Sequence, residues 1–536
     1  VQGINVIRII LPTRRQWVRY SLFVVLAWRG VAPHAALAQS EPVDVTAQPL
    51  VTGSGLDRLR PGVERPVVRP GWSFIIQGAT DFVYTDNARL TATNREADFV
   101  ATPKAIFQAR DLSTRTAISA RAEFDYDFYS KNSDLDGFRP NILVLGRSDV
   151  VEDELSVDAR LATSLQQISS QDRTPATDRG IGENQVQILN YGLRPTWTEH
   201  FNSDVQSEVY YDVSAVGFVG RGNVLASDTV RHVGHAGLSN GSAFDRFGWS
   251  VTTQYDAYAG SHRALVESLE QYRVSNTFSL TGHVGHDWFG DTTIKGSPNG
   301  PFALAGFSWN PASRISVHAE AGYRYSDFNA NANINVTLAR ALTVSVSYIS
   351  DYQNSQVALI NNLADLARDP FGNLRLNGAT GLPYVVSGLF DDNGIPLPDP
   401  NGSPFTFNNT TFKRDLAQAA IRGNIGRNSY NIGASYEKRV SAFGNADTWS
   451  GSASVSRELN RHLRISVEAR YDRVKGTEEV FSLAALDSKT LSGKAEARYR
   501  LGPTVNATLR YVYLQRTTTR VDYRENVAML GLTKTF

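Results

Sequence analysis

Between residues 116 and 129 the chain alternates without a break. Ile118, Ala120, Ala122, Phe124, Tyr126 and Phe128 fall on one side of an extended segment, and Ser119, Arg121, Glu123, Asp125 and Asp127 fall on the other. The same period of two returns over residues 155–165, 205–213, 315–325, 463–471 and 505–513. A chain patterned this way has no helical face to bury, so its apolar side must be satisfied as one face of a sheet. The final segment follows suit, with Ala528, Leu530, Leu532 and the terminal Phe536 on one face and Thr533 and Thr535 on the other.

At 536 residues the chain could make several ordinary soluble domains, yet no shift in composition separates them. A single large architecture follows. Charged residues make up 20% of the chain and the mean hydropathy is negative. A helical membrane bundle needs several apolar runs of roughly 20 residues and is excluded, whereas a barrel with a wet lumen has this composition. A formal net charge of +1 gives no electrostatic basis for nucleic acid as a partner. The chain has no cysteine, which removes disulfides and thiolate chemistry together.

The amino-terminal region has the parts of a secretory signal peptide over residues 1–38. Arg14, Arg15 and Arg19 precede an apolar run at residues 20–28, and Ala36-Leu37-Ala38 supplies the small-x-small site, with cleavage expected after Ala38. Residues 39–71 carry Pro42, Pro49, Pro61, Pro66 and Pro70, a spacing that blocks helix interiors and sheet ladders and makes an extended periplasmic tail.

From Trp72 to the end the pattern predicts an all-β fold, a transmembrane antiparallel up-and-down β-barrel of about 22 strands, within roughly 18 to 24. Short polar turns near residues 111–115, 200–203, 310–313, 426–428, 459–462 and 501–504 alternate with longer stretches at 85–97, 169–183, 217–227, 290–300, 353–409 and 475–488. The short set is expected on the periplasmic side and the long set outside. Tyr325, Tyr348, Tyr436, Tyr471, Tyr499 and Tyr513 end apolar faces and are expected in the interfacial girdle. The surroundings implied are outer-membrane lipid and lipopolysaccharide, with no nucleic acid. Leu530, Leu532 and Phe536 form an alternating aromatic-terminated ending of the kind read by barrel-assembly machinery.

A charge on the lipid face costs about 2 to 4 kcal/mol at mid-bilayer, so the charged face of each strand must be the lumen. Expected pore-lining residues on early strands are Arg121, Glu123, Asp125, Asp127, Asp158, Arg160, Glu208 and Asp212. In the middle of the chain they are Glu320 and Arg324. On late strands they are Arg464, Glu468, Arg470, Lys494, Glu496, Arg498 and Arg510. Acids dominate the early set and bases the late set, which leaves two arrangements open: separate acidic and basic arcs with a field across the pore, or local pairing between strands. A barrel this wide is normally obstructed. With no globular plug ahead of Trp72, energised uptake is disfavoured, and the 353–409 loop is expected to fold inward, assisted by the proline-rich tail.

His232 and His235, and likewise His283 and His286, have the look of metal pairs, but residues three apart on a strand face opposite sides. Asp391-Asp-Asn-Gly394 lacks the spacing and closing Glu of a dedicated calcium loop. No nucleophile elbow, phosphate loop or dinucleotide fingerprint is present, so neither an enzyme nor a bound cofactor is expected.

Tyr84-Thr-Asp-Asn87, after the lead Arg69-Pro-Gly-Trp72, resembles the opening of the β-barrel porin 2 group. Phe302-Ala-Leu-Ala-Gly-Phe-Ser-Trp-Asn-Pro311, followed by Arg314 and Gly322-Tyr-Arg324, resembles its central hairpin, and the ending is similar as well. The resemblance spans roughly residues 72–536. It implies an outer-membrane barrel associated with exopolysaccharide biosynthesis and secretion, with the polymer and periplasmic export proteins as partners and no catalytic residues. A diffusion porin for small solutes and a structural or adhesive surface barrel are the alternative expectations.

Overall fold

The computed structural model describes residues 71–536, apart from 168–172, 178–184, 220–227, 355–356, 358–410, 479–484 and a few isolated connection residues. The leader, the tail ahead of Gly71, most of the 353–409 loop and Asp391–Gly394 therefore lie outside the described residues.

Alternation becomes strand at every place where the period of two persists. The first half of the sheet is β1 (Gly71–Thr85), β2 (Asp98–Leu112), β3 (Thr116–Tyr129), β4 (Gly137–Val151), β5 (Leu155–Gln167), β6 (Gln185–Phe201), β7 (Val205–Val219), β8 (Thr229–Asn240), β9 (Phe247–Tyr258), β10 (Ser261–Ser275) and β11 (Phe278–Gly290). The second is β12 (Gly300–Ala312), β13 (Ile315–Arg324), β14 (Asp327–Ala339), β15 (Leu342–Asn354), β16 (Thr411–Ile425), β17 (Asn428–Ser441), β18 (Gly444–Glu458), β19 (Leu463–Glu478), β20 (Ala485–Arg500), β21 (Val505–Thr518) and β22 (Asp522–Thr535). Each strand pairs antiparallel with the next. β22 returns to β1, from Gln77 opposite Thr535 to Thr85 opposite Val527. Closure leaves every strand paired on both edges, as a backbone in hydrocarbon requires.

The two rims differ. Connections at the rim that also carries the start of β1 and the end of β22 are two to six residues long; this is the turn end. The opposite rim carries the longer loops. It is not uniformly long, however, because β9 joins β10 through Ala259 and Gly260, and β13 joins β14 through Tyr325 and Ser326. These are two-residue hairpins with positive φ at both central positions. The expected loops at 217–227 and 475–488 are shorter too, since β7 runs to Val219, β19 to Glu478 and β20 starts at Ala485.

The outer face carries exposed Phe74, Phe128, Tyr191, Trp197, Trp288, Ile432 and Leu509 among many others. In water such a continuous apolar belt would be an association hazard; around a closed barrel it matches lipid. Tyr348, Tyr436, Tyr471 and Tyr499 lie exposed on this face. Tyr325 departs from the girdle expectation. Its strand ends at Arg324, and the left-handed turn carries its ring against Tyr352, 4.9 Å between centroids, and Phe289, 6.1 Å. Such a conformation costs a non-glycine residue on the order of 1 kcal/mol, which the ring packing offsets, and burial pushes the Tyr325 phenol above its ordinary value.

Glycine has a packing role in the β12–β13 hairpin. A Cβ on Gly306 would strike the carbonyl oxygen of Ala319, and one on Gly322 that of Ala303. Both lie in β12 and β13, where they meet a steric requirement of close strand approach.

Candidate functional site in the lumen

Side chains on the inner face are held by ion pairs within a strand and between neighbouring or next-neighbouring strands. Arg121 bonds Glu123 at 2.8 Å, and Lys104 reaches Asp81 at 3.2 Å, Asp125 at 3.3 Å and Glu123 at 3.6 Å. Arg139 lies 2.9 Å from Asp127 and 3.6 Å from Asp125. Arg160 on β5 passes over Gly192 on β6 to make a two-pronged bond to Asp212 on β7, at 2.8 and 2.9 Å. Asp158 faces Arg194 at 3.6 Å. Glu208 shares this inner face, opposite Gly237 in the register.

On the middle strands Arg324 bonds Asp287 at 2.8 Å, and Glu320 lies 3.8 Å from His283, which also contacts Glu267 at 3.0 Å. On the late strands Lys494 pairs with Glu468 at 3.0 Å, Arg470 with Asp472 at 2.7 Å, and Glu496 receives both Arg510 at 2.7 Å and Arg498 at 3.3 Å. Arg464 bonds the hydroxyl of Ser456 at 3.0 Å. Acids and bases are thus interleaved on early and late strands alike, and local pairing replaces the two opposed arcs. The reason is geometric: early acids draw in Lys104, Arg139 and Arg194, and late bases draw in Glu468, Glu496 and Asp472.

Lys104, Arg139, Arg194, Arg231, Asp256, Arg263 and Asp287 also belong to this lining. Arg231 and Asp256 bond at 2.6 Å. Lys104 and Arg139 follow or precede a proline, Pro103 and Pro140, which masks the alternation on which a sequence reading depends. Asp287 is 1% exposed and holds two guanidinia, Arg263 at 2.5 Å and Arg324 at 2.8 Å. Arg263 stacks on Phe289 and Arg324 on Phe302. Asp287→Asn would leave both cations without their counter-charge and is expected to cost roughly 3 kcal/mol. The check is the temperature at which the folded barrel loses its heat-modifiable gel mobility; an unchanged temperature would show that water replaces the carboxylate at no cost.

The histidine pairs behave as the strand geometry requires. His235 stacks on inward-facing Tyr210, whereas His232 bonds Tyr211 on the outer face. His283 faces the lumen, and His286 lies against Trp288 outside.

At the long-loop mouth two loops turn inward. Asn87 donates to the carbonyl oxygens of Thr91 at 2.8 Å and Arg524 at 3.0 Å, folding the β1–β2 loop so that Ala88 and Leu90 are buried. They rest on inward-facing Val83, Val100, Val512, Val527 and Met529, and on Leu514 and Tyr523. Ala176 of the β5–β6 loop packs on the same cluster. Its backbone N–H donates to Glu525 at 2.7 Å, and Thr174 exchanges hydrogen bonds with the Tyr523 hydroxyl at 2.6 and 2.8 Å. This loop crosses the four strands β1 to β4, roughly 24 Å of wall at sheet spacing. On another arc the β11–β12 loop reaches β16, where Thr411 N–H donates to the Thr293 hydroxyl at 2.9 Å and Thr411 Oγ1 to Asp291 at 2.5 Å. Among the described residues, these loops are the ones that pack toward the lumen at this mouth. A short run such as Ala88-Arg-Leu90 inside a polar loop was the signal available in the sequence.

Towards the turn end the wall changes character. From β14 to β18 the inner face presents Asn331, Asn333 and Asn335, then Ser345 and Ser347, Gln418, Ser435, and Ser450, Ser452 and Ser454. These groups both donate and accept hydrogen bonds without carrying charge.

A closed sheet with an apolar belt outside and a polar, ion-paired wall inside defines a transmembrane β-barrel with a hydrated lumen. No family model matches the chain, and no curated protein matches it. Among solved structures it is similar to the ferric-catecholate import receptor Fiu of E. coli K12, at 9% identity and a TM-score of 0.47, covering 88% of this chain and 82% of that one. It is similar to the siderophore receptor PirA of Acinetobacter baumannii, at 9% identity and TM-score 0.46, covering 86% and 80%. Similarity to the outer membrane protein opdK of Pseudomonas aeruginosa covers 87% of this chain and 98% of that one, at 9% identity and TM-score 0.33.

Proposed function

We propose that the protein is a passive channel of a bacterial outer membrane, with its turn end in the periplasm, and that its cargo is a polysaccharide chain on its way out of the cell. The observation that supports a channel most directly is the polar, ion-paired lining inside a closed wall, which keeps the interior hydrated away from the apolar cluster at the long-loop mouth. The cargo reading draws on the amide and hydroxyl wall of β14 to β18, because a sugar hydroxyl can exchange hydrogen bonds with successive uncharged Asn and Ser side chains there. The resemblance of Tyr84–Asn87 and the β12–β13 hairpin to the β-barrel porin 2 group favours the same cargo.

Purified full-length protein in liposomes is expected to give swelling with small sugars, and gene deletion is expected to lower secreted polysaccharide. Swelling without any change in secreted polymer would leave a small-solute diffusion porin, the second reading. Neither effect would leave a structural or adhesive surface barrel.

A further inference from the structure

Along β16 to β20 the turn-end rim carries Arg422, Arg464, Arg498 and Arg500, each on the inner face and within three residues of its strand's turn end. Register makes the crowding specific. Arg464 lies directly opposite Arg498, and Arg500 follows two positions along β20. Like charges facing each other across a ladder are destabilising.

Counter-charge is short here. Glu458 faces Arg464 from β18, and the single carboxylate of Glu496 is shared between Arg510 at 2.7 Å and Arg498 at 3.3 Å. Arg422 and Arg500 make no ion pair among the described residues. The Arg498 side chain is 58% exposed. Deeper in the lumen the guanidinia named above have carboxylate partners; at this rim guanidinia outnumber the carboxylates beside them, and Glu496 and Glu458 offset the repulsion only in part. Ser456 and Asn506 lie among these arginines on the same face, Ser456 as the hydroxyl that receives Arg464.

We infer that this rim is a vestibule for an anionic sugar chain, in which Arg464, Arg498 and Arg500 hold carboxylates of successive residues while Ser456 and Asn506 bond the hydroxyls. Guanidinia present paired donors to a carboxylate. Positions two apart on a strand lie about 7 Å from each other, and cross-strand neighbours about 5 Å, so the cations repeat on the scale of a short chain segment. The inference rests on the polysaccharide-channel reading and names its substrate class: carboxylate-bearing polymer, recruited from the turn end before it meets the neutral wall.

The test uses full-length protein and oligogalacturonate, with neutral dextran of equal length as control. By titration in detergent, oligogalacturonate is expected to bind at least tenfold more tightly than dextran. The pair Arg464→Glu and Arg498→Glu is expected to abolish that difference, while Arg464→Lys with Arg498→Lys preserves most of it. Folding of each variant is read from heat-modifiable mobility, with Arg500→Glu alone as the milder substitution. In planar bilayers the native channel is expected to favour anions, and the double reversal is expected to move the reversal potential toward cations. Equal binding of the charged and neutral chains, or binding indifferent to charge reversal, would overturn the vestibule. Selective binding by a protein that passes no current would uphold it and overturn the channel reading instead.

Discussion

A Glu525→Ala barrel is expected to pass at least twofold more current than the native one, with the change confined to the long-loop mouth. Glu525 is fully buried, and its carboxylate accepts the Thr85 hydroxyl at 2.6 Å and the Ala176 N–H at 2.7 Å. It therefore joins the closing seam, through β1, to the loop that crosses from β5. Hydrogen bonds to a charged group contribute about 1.5 to 3 kcal/mol each. Only the Ala176 bond ties the loop to the wall, so discounting for water that enters the vacated space leaves roughly 1 to 2 kcal/mol, enough to shift the docked loop's population by about tenfold. The wall itself should hold, because the β1–β22 register runs through nine residue pairs and does not depend on this side chain. Single-channel conductance checks the first effect, and protease access to residues 173–177 checks the second. Unchanged conductance with increased cleavage would place the loop above the pore and out of the current's path. Tyr523→Phe, which removes only the hydroxyl shared with Thr174, should act in the same direction and less strongly.

The barrel was legible because its period is the shortest a protein can have. Over residues 116–129 a one-residue error would put Asp125 and Asp127 into lipid, so Ile118 to Phe128 fix the outer face by themselves. Strand number followed from repeating that argument, and 22 strands are present. The long-loop rim was read less well. Ala259-Gly260 and Tyr325-Ser326 are hairpins too short to leave a compositional mark, and the second lacks the Asn or Gly that such a turn favours. Ion pairing was legible only as alternatives. Arg160 meets Asp212 across an intervening strand, and that partnership depends on curvature and on Gly192 beneath the guanidinium, neither of which alternation encodes. The inward loops were hidden for a related reason: Ala88 and Leu90 find their apolar bed only once β1, β2, β21 and β22 are side by side, more than 400 residues apart in sequence.

Removal of Phe536 is expected to lower the yield of assembled barrel several-fold while leaving the conductance of assembled molecules unchanged. In the finished structure Phe536 contributes little. Its N–H donates to the carbonyl oxygen of Ile76 at 2.9 Å, its ring rests beside Gly78, and Lys534 lies 4.9 Å from the ring centroid on the same outer face as exposed Leu530 and Leu532. One backbone hydrogen bond contributes about 1 kcal/mol, which is small against a seam of nine register pairs and the fifteen that join β1 to β2. A several-fold fall in yield therefore cannot come from equilibrium stability of the closed barrel and must arise before closure, when β22 has no β1 beside it and its Leu530, Leu532 and Phe536 face is still unoccupied. Phe536→Ala separates the causes, because it keeps the bond to Ile76 and removes only the ring. If the ring is what the assembly machinery reads, this variant should accumulate unfolded in the periplasm nearly as badly as the deletion; if it assembles normally, the backbone contact at the seam is the part that matters.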